Sequence, residues 1–284
     1  MDLAGGDFLM FVAIGLCAQM IDGALGMAYG LTSSSVLLAM GLPPAAVSAS
    51  VHTAEVFTTG VSGAAHGMLG NVDRKLLRRL VVPGVIGGIL GAYVLTRLDG
   101  DAIKPWIHGY LLLMALLILL RAIGRRIPRK QVKRVGVLGF FAGLFDAVGG
   151  GGWGPMATST LLANGGATRT TIGTVSAAEF SVTLAISITF LLSIGIDHWQ
   201  IVLGLLLGGV IAAPLAAVLV KHVPERAVLT AVGVLMLGIS VYQISGTLDA
   251  STLPYQPEIA SVDAASPPRV LQPQLRIGVP GGNL

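Results

Sequence analysis

Four carboxylic acids fall at positions where they could bind or move protons inside an apolar interior. Asp22 and Asp146 each come just before a run of glycines, and Glu55 and Glu179 each lie in the apolar segment that follows. Ionisable groups inside membrane-spanning segments are costly, and they usually face a cavity or a partner. These four acids, together with His52, are therefore predicted to act in coupling or gating.

The glycine runs predict breaks in two helices. The first break reads DGALGMAYG and ends at Gly30, and the second reads DAVGGGGWG and ends at Gly154. Pro155 suits the first turn of a helix, so Gly154, and by register Gly30, are predicted N-caps. A helix N-terminus offers free N–H donors and a partial positive charge. Two of them facing each other would bind an anion without a buried arginine.

The predicted substrate site combines glycines and aromatic residues of the breaks with hydroxyl groups in the turns that follow. Hydroxyls donate hydrogen bonds to oxyanions, and Tyr29 and Trp153 could line or gate the cavity. The alternative is that these small residues serve only close helix packing. The predicted substrate-binding residues are Gly26, Tyr29, Gly30, Ser33, Ser34, Ser35, Gly150, Gly151, Trp153, Gly154, Thr158 and Ser159.

The acids also have a structural interpretation, which stays open at this stage. Glu55 and Glu179 could cap the amides of the breaks as fixed acceptors, and an aspartate beside a glycine break often holds the turn. His52 lies on the same helix face as Glu55, and its equivalent in the second half is not a histidine. The single cysteine, Cys17, lacks the partners of a metal site, and no lysine-containing phosphate loop follows either glycine run. No cofactor or metal is expected.

The elements that carry these residues are predicted to lie in a membrane. Of the 284 residues, 54% are hydrophobic and 11% are charged, and the mean hydropathy is +0.81. Both values are far from those of soluble domains. Apolar runs long enough for helices indicate an all-α polytopic protein rather than a barrel. The runs fall near 8–40, 45–66, 76–95, 103–120, 135–163, 172–194, 201–220 and 227–244.

An internal repeat relates the two halves of the chain. Asp22 and Asp146 are 124 residues apart, and so are Glu55 and Glu179. Chance does not readily place acids in one register in a membrane chain, because such residues are rare in spans. The predicted units are a first repeat (1–123), a basic cytoplasmic linker (124–134), a second repeat (135–246) and a proline-rich, disordered tail (247–284).

Positive charges predict that the two repeats have opposite orientations in the membrane. Lysine and arginine gather in cytoplasmic loops, and they follow Asp73 but are absent from the equivalent loop after Asp197. Opposed halves fit a re-entrant pair of half-helices plus about three spanning helices in each repeat, although two full crossings keep the same parity. Both termini then face outward, and the expected location is the inner membrane.

These features resemble the TauE/SafE family of sulfite exporters. The resemblance rests on the duplicated aspartate and glycine runs, the acid on the following helix and the basic linker, and it covers residues 8–244. It implies transport of sulfite, sulfonates or related small sulfur-containing anions, with no enzymatic activity. Uptake of organosulfonates or other organic anions is the alternative within transport. A distant alternative is an intramembrane aspartyl protease that uses Asp22 and Asp146 as a dyad.

Overall fold

The protein is helical throughout the part of the chain that the computed structural model describes. This part comprises residues 6–25, 27–124, 134–164, 167–195, 198–219 and 224–252. Gly26, most of the basic linker and the tail from residue 253 onward lie outside it. The helices are α1 (Gly6–Leu25), α2 (Tyr29–Ala39), α3 (Pro44–Met68), α4 (Arg74–Arg97), α5 (Gly100–Ala122), α6 (Val135–Gly149), a π-helix (Gly154–Thr158), α7 (Ser159–Ala163), α8 (Thr168–Ile194), α9 (Trp199–Leu219) and α10 (Glu225–Thr252).

Large apolar side chains lie on the outside of the molecule, and its interior combines an apolar core with buried polar side chains. Among the described residues, four segments are long and apolar enough to cross a membrane: Arg74–Arg97, Gly100–Ala122, Arg169–Ile194 and Arg226–Ser245. Met68 and Leu192 are 88% and 81% exposed, whereas Ser34 and His52 are fully buried. Lipid accommodates exposed apolar side chains such as Met68, and hydrogen-bond partners inside the bundle satisfy buried polar side chains such as Ser34. The predicted all-α membrane protein is confirmed at this level.

Helices that are 124 residues apart in the sequence have matching neighbours. α1 packs along α9, and their counterparts α6 and α4 pack along each other in the same way. α3 packs against its counterpart α8, and α5 against its counterpart α10. The helices α1, α3, α4 and α5 of the first half therefore have the same kind of partner as their counterparts in the second half.

Glycines allow the closest helix pairs to bring their backbones almost into contact. A Cβ atom on Gly87 of α4 would overlap the carbonyl oxygen of Phe140 in α6. A Cβ atom on Gly208 of α9 would overlap the carbonyl oxygen of Val12 in α1. Small residues at such crossings allow the dense packing that holds helices together in lipid, where no hydrophobic effect acts between them.

One boundary differs from the sequence prediction. Helix α10 continues to Thr252, six residues beyond the predicted end of the second repeat at residue 246. The segment 247–252 contains no proline to end the helix, and a helix that runs past its apolar segment keeps its backbone groups bonded internally.

Candidate functional site

Two interruptions separate helices α1 from α2 and α6 from the π-helix. Tyr29 is the first residue of α2, and helical structure resumes at Trp153 in the second half. The predicted N-caps Gly30 and Gly154 are wrong, because both residues lie inside the first helical turns. Aspartate side chains take over the capping role: Asp22 Oδ1 accepts from Tyr29 N at 3.3 Å, and Asp146 Oδ1 accepts from Trp153 N at 2.8 Å.

Left-handed backbone conformations make both interruptions possible. Gly150, Gly151 and Gly152 have φ values of 70°, 151° and 139°. Residues other than glycine rarely adopt such values. In the first half Ala28 has a φ of 93°, an uncommon value for a residue with a Cβ atom. The glycine run predicted the second turn, whereas the strain at Ala28 has no signal in the sequence.

The two interruptions touch each other in the middle of the helical bundle. Ser34 Oγ donates a hydrogen bond to the carbonyl oxygen of Gly150, and a Cβ atom on Gly151 would overlap the backbone nitrogen of Leu31. Ser48 Oγ of α3 donates to the carbonyl oxygen of Ala147 at 2.6 Å. Carbonyl groups of the second break are therefore satisfied by side chains of the first half of the chain.

His52 binds the aspartate of the second break. Its Nδ1 lies 2.8 Å from the carbonyl oxygen of Ser48, and its Nε2 lies 3.2 Å from Asp146 Oδ2. A carbonyl oxygen only accepts, so we assign a hydrogen to Nδ1. Nε2 and the carboxylate of Asp146 are within hydrogen-bond distance of each other. Both side chains are almost completely buried, so this contact lies inside the bundle.

Glu55 and Glu179 occupy equivalent positions but have different surroundings. Glu55 is 5% exposed, and it accepts a hydrogen bond from the backbone of Gly30. Glu179 is partly exposed and has no hydrogen bond within the described part of the chain. Both glutamates interact electrostatically with Asp22 and Asp146. Four carboxylates from four helices therefore converge between the two breaks.

Of the four predicted serine hydroxyls, two are hydrogen-bonded and two have no partner in the described structure. Ser34 bonds to Gly150, as described above, and Ser159 Oγ lies 3.2 Å from a guanidinium nitrogen of Arg121. The fully buried Ser33 and Ser35 have no hydrogen-bond partner for their hydroxyl groups in the described structure. Thr158 is buried in the first turns of the second half. Unpartnered buried donors are uncommon in folded proteins, and the hydroxyls of Ser33 and Ser35 remain available to a ligand.

The two aromatic residues of the breaks are anchored at their polar ends. Tyr29 Oη donates to the carbonyl oxygen of Leu205 at 3.0 Å, and Trp153 Nε1 donates to that of Val175 at 3.1 Å. Both rings are buried. These bonds fit the packing interpretation better than the gating one, because a gate must move.

Sequence reasoning missed two residues that contact the breaks. Tyr110 Oη of α5 donates to the carbonyl oxygen of Gly151 at 3.0 Å, and Arg121 reaches Met27 and Ser159. Tyr110 lies in an apolar run and gives no signal of its own, and Arg121 lies at the end of that run, next to the basic linker. Asp22 and Asp146 bond to different amides, and no hydrogen bond joins them in the described structure. This arrangement differs from the proton-sharing dyad of an aspartyl protease.

Comparisons with known proteins agree with a transport function. The family model described as "Sulfite exporter TauE/SafE" matches residues 11–243. The chain is 47% identical over 223 residues to the "Probable membrane transporter protein YtnM" of Bacillus subtilis (strain 168), which covers 75% of this chain and 74% of the relative. No solved structure gives a significant match. The chain belongs to the TauE/SafE family and is a membrane transporter.

Proposed function

We propose that the protein is a secondary transporter that exports sulfite or a related small sulfur-containing anion by alternating access. The observation that carries this proposal is the contact between two polar helix breaks in the middle of the helical bundle. Transporters built from repeats bind their substrates at such discontinuous helices. The matching family is named for sulfite export, which supports this substrate class.

The anion is proposed to bind where the breaks meet, at the first turns of the two half-helices. The amides of α2 and the unpartnered hydroxyls of Ser33 and Ser35 supply donors. Asp22 and Asp146 already accept from the first amides, so the anion competes with these carboxylates. Like charges repel strongly where water is scarce, and binding of an anion requires the carboxylates to move away or to bind protons.

The carboxylate cluster is therefore proposed to take up protons locally while the anion is bound, and the direction of transport depends on whether those protons also cross the membrane. His52 and Asp146 are in direct contact, and Glu179 is the acid with no hydrogen bond in the described structure. Proton co-transport would draw the anion inward under the usual proton gradient, whereas uncoupled anion flux follows the negative interior potential outward. Measured coupling therefore discriminates export from the alternative, import of organosulfonates or other organic anions.

Alternating access is proposed to use the two repeats in opposite orientations in the inner membrane, with both termini outside. The matching neighbours of α1 and α6, and of α4 and α9, support two equivalent units. In each unit the broken pair of half-helices would be re-entrant, and three helices would span the membrane. Rocking of one unit against the other would open the central site to each side in turn.

The test is flux of labelled sulfite in proteoliposomes that contain the purified protein. We expect saturable flux that unlabelled sulfite, thiosulfate or a small sulfonate inhibits, and that an imposed pH gradient or membrane potential accelerates. Protein-free liposomes are the control. Absence of flux for all of these anions, with protein that still shows a cooperative thermal transition, would refute the proposed substrate class. Flux only of sulfonates, driven inward by protons, would favour the importer.

A further inference from the structure

The second half of α3, which leads away from the breaks, has an interior face with polar side chains. Its contacts define this face: Cβ atoms on Gly60 and Gly63 would touch α8, and Thr58 Cγ2 lies against Gly209 of α9. Successive residues of a helix are about 100° apart, so the positions between these contacts face the space between α8 and α9. The opposite face carries Val61, which is 74% exposed. The interior face consists of Glu55, Thr59, Ser62 and His66.

The space beside this face is open. Thr59, Ser62 and His66 are partly exposed although they face the interior, and so are Ser176 and Glu179 of α8. α3 packs against both α8 and α9, whereas α8 and α9 do not pack along each other within the described residues. A crevice lined by these five side chains therefore leads from the carboxylate cluster to the end of α3. It follows about three turns of α3, which rise about 16 Å.

The equivalent face of α8 is closed. The positions that correspond to Ser62 and His66 are Ile186 and Phe190, and both are fully buried. Ile186 packs so tightly against α4 that a Cβ atom on Gly88 would overlap its side chain. The two repeats therefore differ at this place, since one has an accessible polar face and the other a sealed apolar one. In the described part of the chain, the acids at the centre are reached along α3 and not along α8.

The mouth of the crevice carries a positive charge. Arg169, in the first turn of α8, is exposed and interacts electrostatically with His66. Asn71 Nδ2 lies 3.3 Å from His66 Nδ1, which assigns the ring hydrogen to Nε2. Asp73, in the adjacent loop, already accepts from the first amides of α4. An anion that leaves the acids at the centre therefore meets hydroxyl groups first and a cation at the end.

We propose that this crevice is the cytoplasmic path of the transported oxyanion, with Ser62 and Ser176 on its walls and Arg169 at its mouth. The inference rests on the proposed function, and it adds a route to the central site that the two breaks alone do not provide. It also assigns a direction to the structure, which is open towards the cytoplasm and closed towards the outside.

The test places single cysteines in a Cys17→Ser background and measures their reaction with an impermeant thiol reagent. In inverted vesicles we expect the Ser62→Cys variant to react about tenfold or more faster than Val61→Cys, because only a thiol in contact with water ionises readily. Val61 is the matched control, since it is the neighbour of Ser62 on the opposite, exposed face. Sulfite should slow the reaction of the Ser62→Cys variant. In intact cells both variants should react slowly.

Arg169→Gln tests the charge at the mouth. In inverted vesicles that contain the Ser62→Cys variant, we expect the added Arg169→Gln change to slow an anionic methanethiosulfonate severalfold, because the cation no longer attracts it. A cationic methanethiosulfonate of similar size should not be slowed. The matched control is Arg97→Gln, which removes a cation that lies over the ring of Tyr93. An unchanged rate of the anionic reagent would remove Arg169 from the path.

The remaining outcomes separate the path from the proposed function. Equal rates for Ser62→Cys and Val61→Cys in inverted vesicles, or a faster reaction of the former in intact cells, overturn the path. Reaction that sulfite does not slow, in protein that still transports sulfite, overturns its use by the anion. If the Ser62→Cys variant does not fold, Ser176→Cys provides the same comparison. Absence of sulfite flux in the unaltered protein refutes the proposed function, whereas the reaction rates still decide whether the crevice exists.

Discussion

Three neighbouring serines on α2 have the same chemistry but different surroundings. Ser34 donates to the carbonyl oxygen of Gly150, whereas the buried hydroxyl groups of Ser33 and Ser35 have no partner in the described structure. The bonded serine therefore joins the two halves, and the other two have donor capacity left for a ligand. The sequence predicted all three as equal members of a binding site, because a run of serines carries no information about which hydroxyl is already used.

Replacing these serines one at a time should separate stability from binding. We expect Ser34→Ala to lower stability by about 1–3 kcal/mol, because the buried carbonyl of Gly150 loses its donor. Ser35→Ala should leave the melting temperature of the detergent-solubilised protein nearly unchanged and lower the affinity for sulfite. Thermal unfolding and flux assays measure the two effects. Equal melting temperatures for both variants would remove the structural role from Ser34.

Predictions from the sequence are strongest for residues that are chemically unusual in lipid. The four acids near the breaks and the glycine runs were identified because both are costly or strained inside a span. Their contacts were less predictable. The contact between His52 and Asp146 and the bond from Tyr110 depend on which helices meet, and a single sequence without an alignment does not contain that information. The π-helix after Trp153 likewise has no counterpart in the regular helix α2.

The contact between α4 and α6 depends on the absence of side chains. Gly87 faces the backbone of Phe140 so closely that a methyl group has no space. We expect Gly87→Ala to push the helices apart and to lower stability by about 1–3 kcal/mol, as overpacking does. The matched control is Gly109→Ala in α5, where nothing lies within 4 Å of the added atom. Thermal unfolding in detergent measures both, and equal melting temperatures would show that this crossing adapts easily.

The positions of the long helices are well predicted from hydropathy, because a membrane span needs about 20 apolar residues. The described α4 and α5 agree with the apolar runs near 76–95 and 103–120. Pairing of the helices does not follow from hydropathy. The choice of α9 as the neighbour of α1 depends on glycines that fit one particular backbone, such as Gly208 against Val12. Small residues occur throughout the chain, so their presence alone does not identify the partner.

At the scale of the whole molecule, matched helix neighbours and opposite orientations are separate properties. A duplicated unit could insert twice in the same direction or in opposite directions, and only the second arrangement allows one unit to rock against the other around a central site. The arginines and lysines after Asp73, which have no equivalents after Asp197, provide the argument for opposition. Contacts between helices do not include the membrane, so orientation has to be measured.

Cysteine labelling can measure the orientation of both halves, because the chain has a single cysteine. In a Cys17→Ser background, Lys75→Cys and His198→Cys place a thiol at the start of α4 and just before its counterpart α9. We expect an impermeant maleimide added to intact cells to label the cysteine at 198 but not the one at 75, because positive loops stay in the cytoplasm. In inverted vesicles the pattern should reverse. Labelling of both cysteines from the same side would mean that the halves are parallel, and the proposed rocking of two opposed units would have no structural basis.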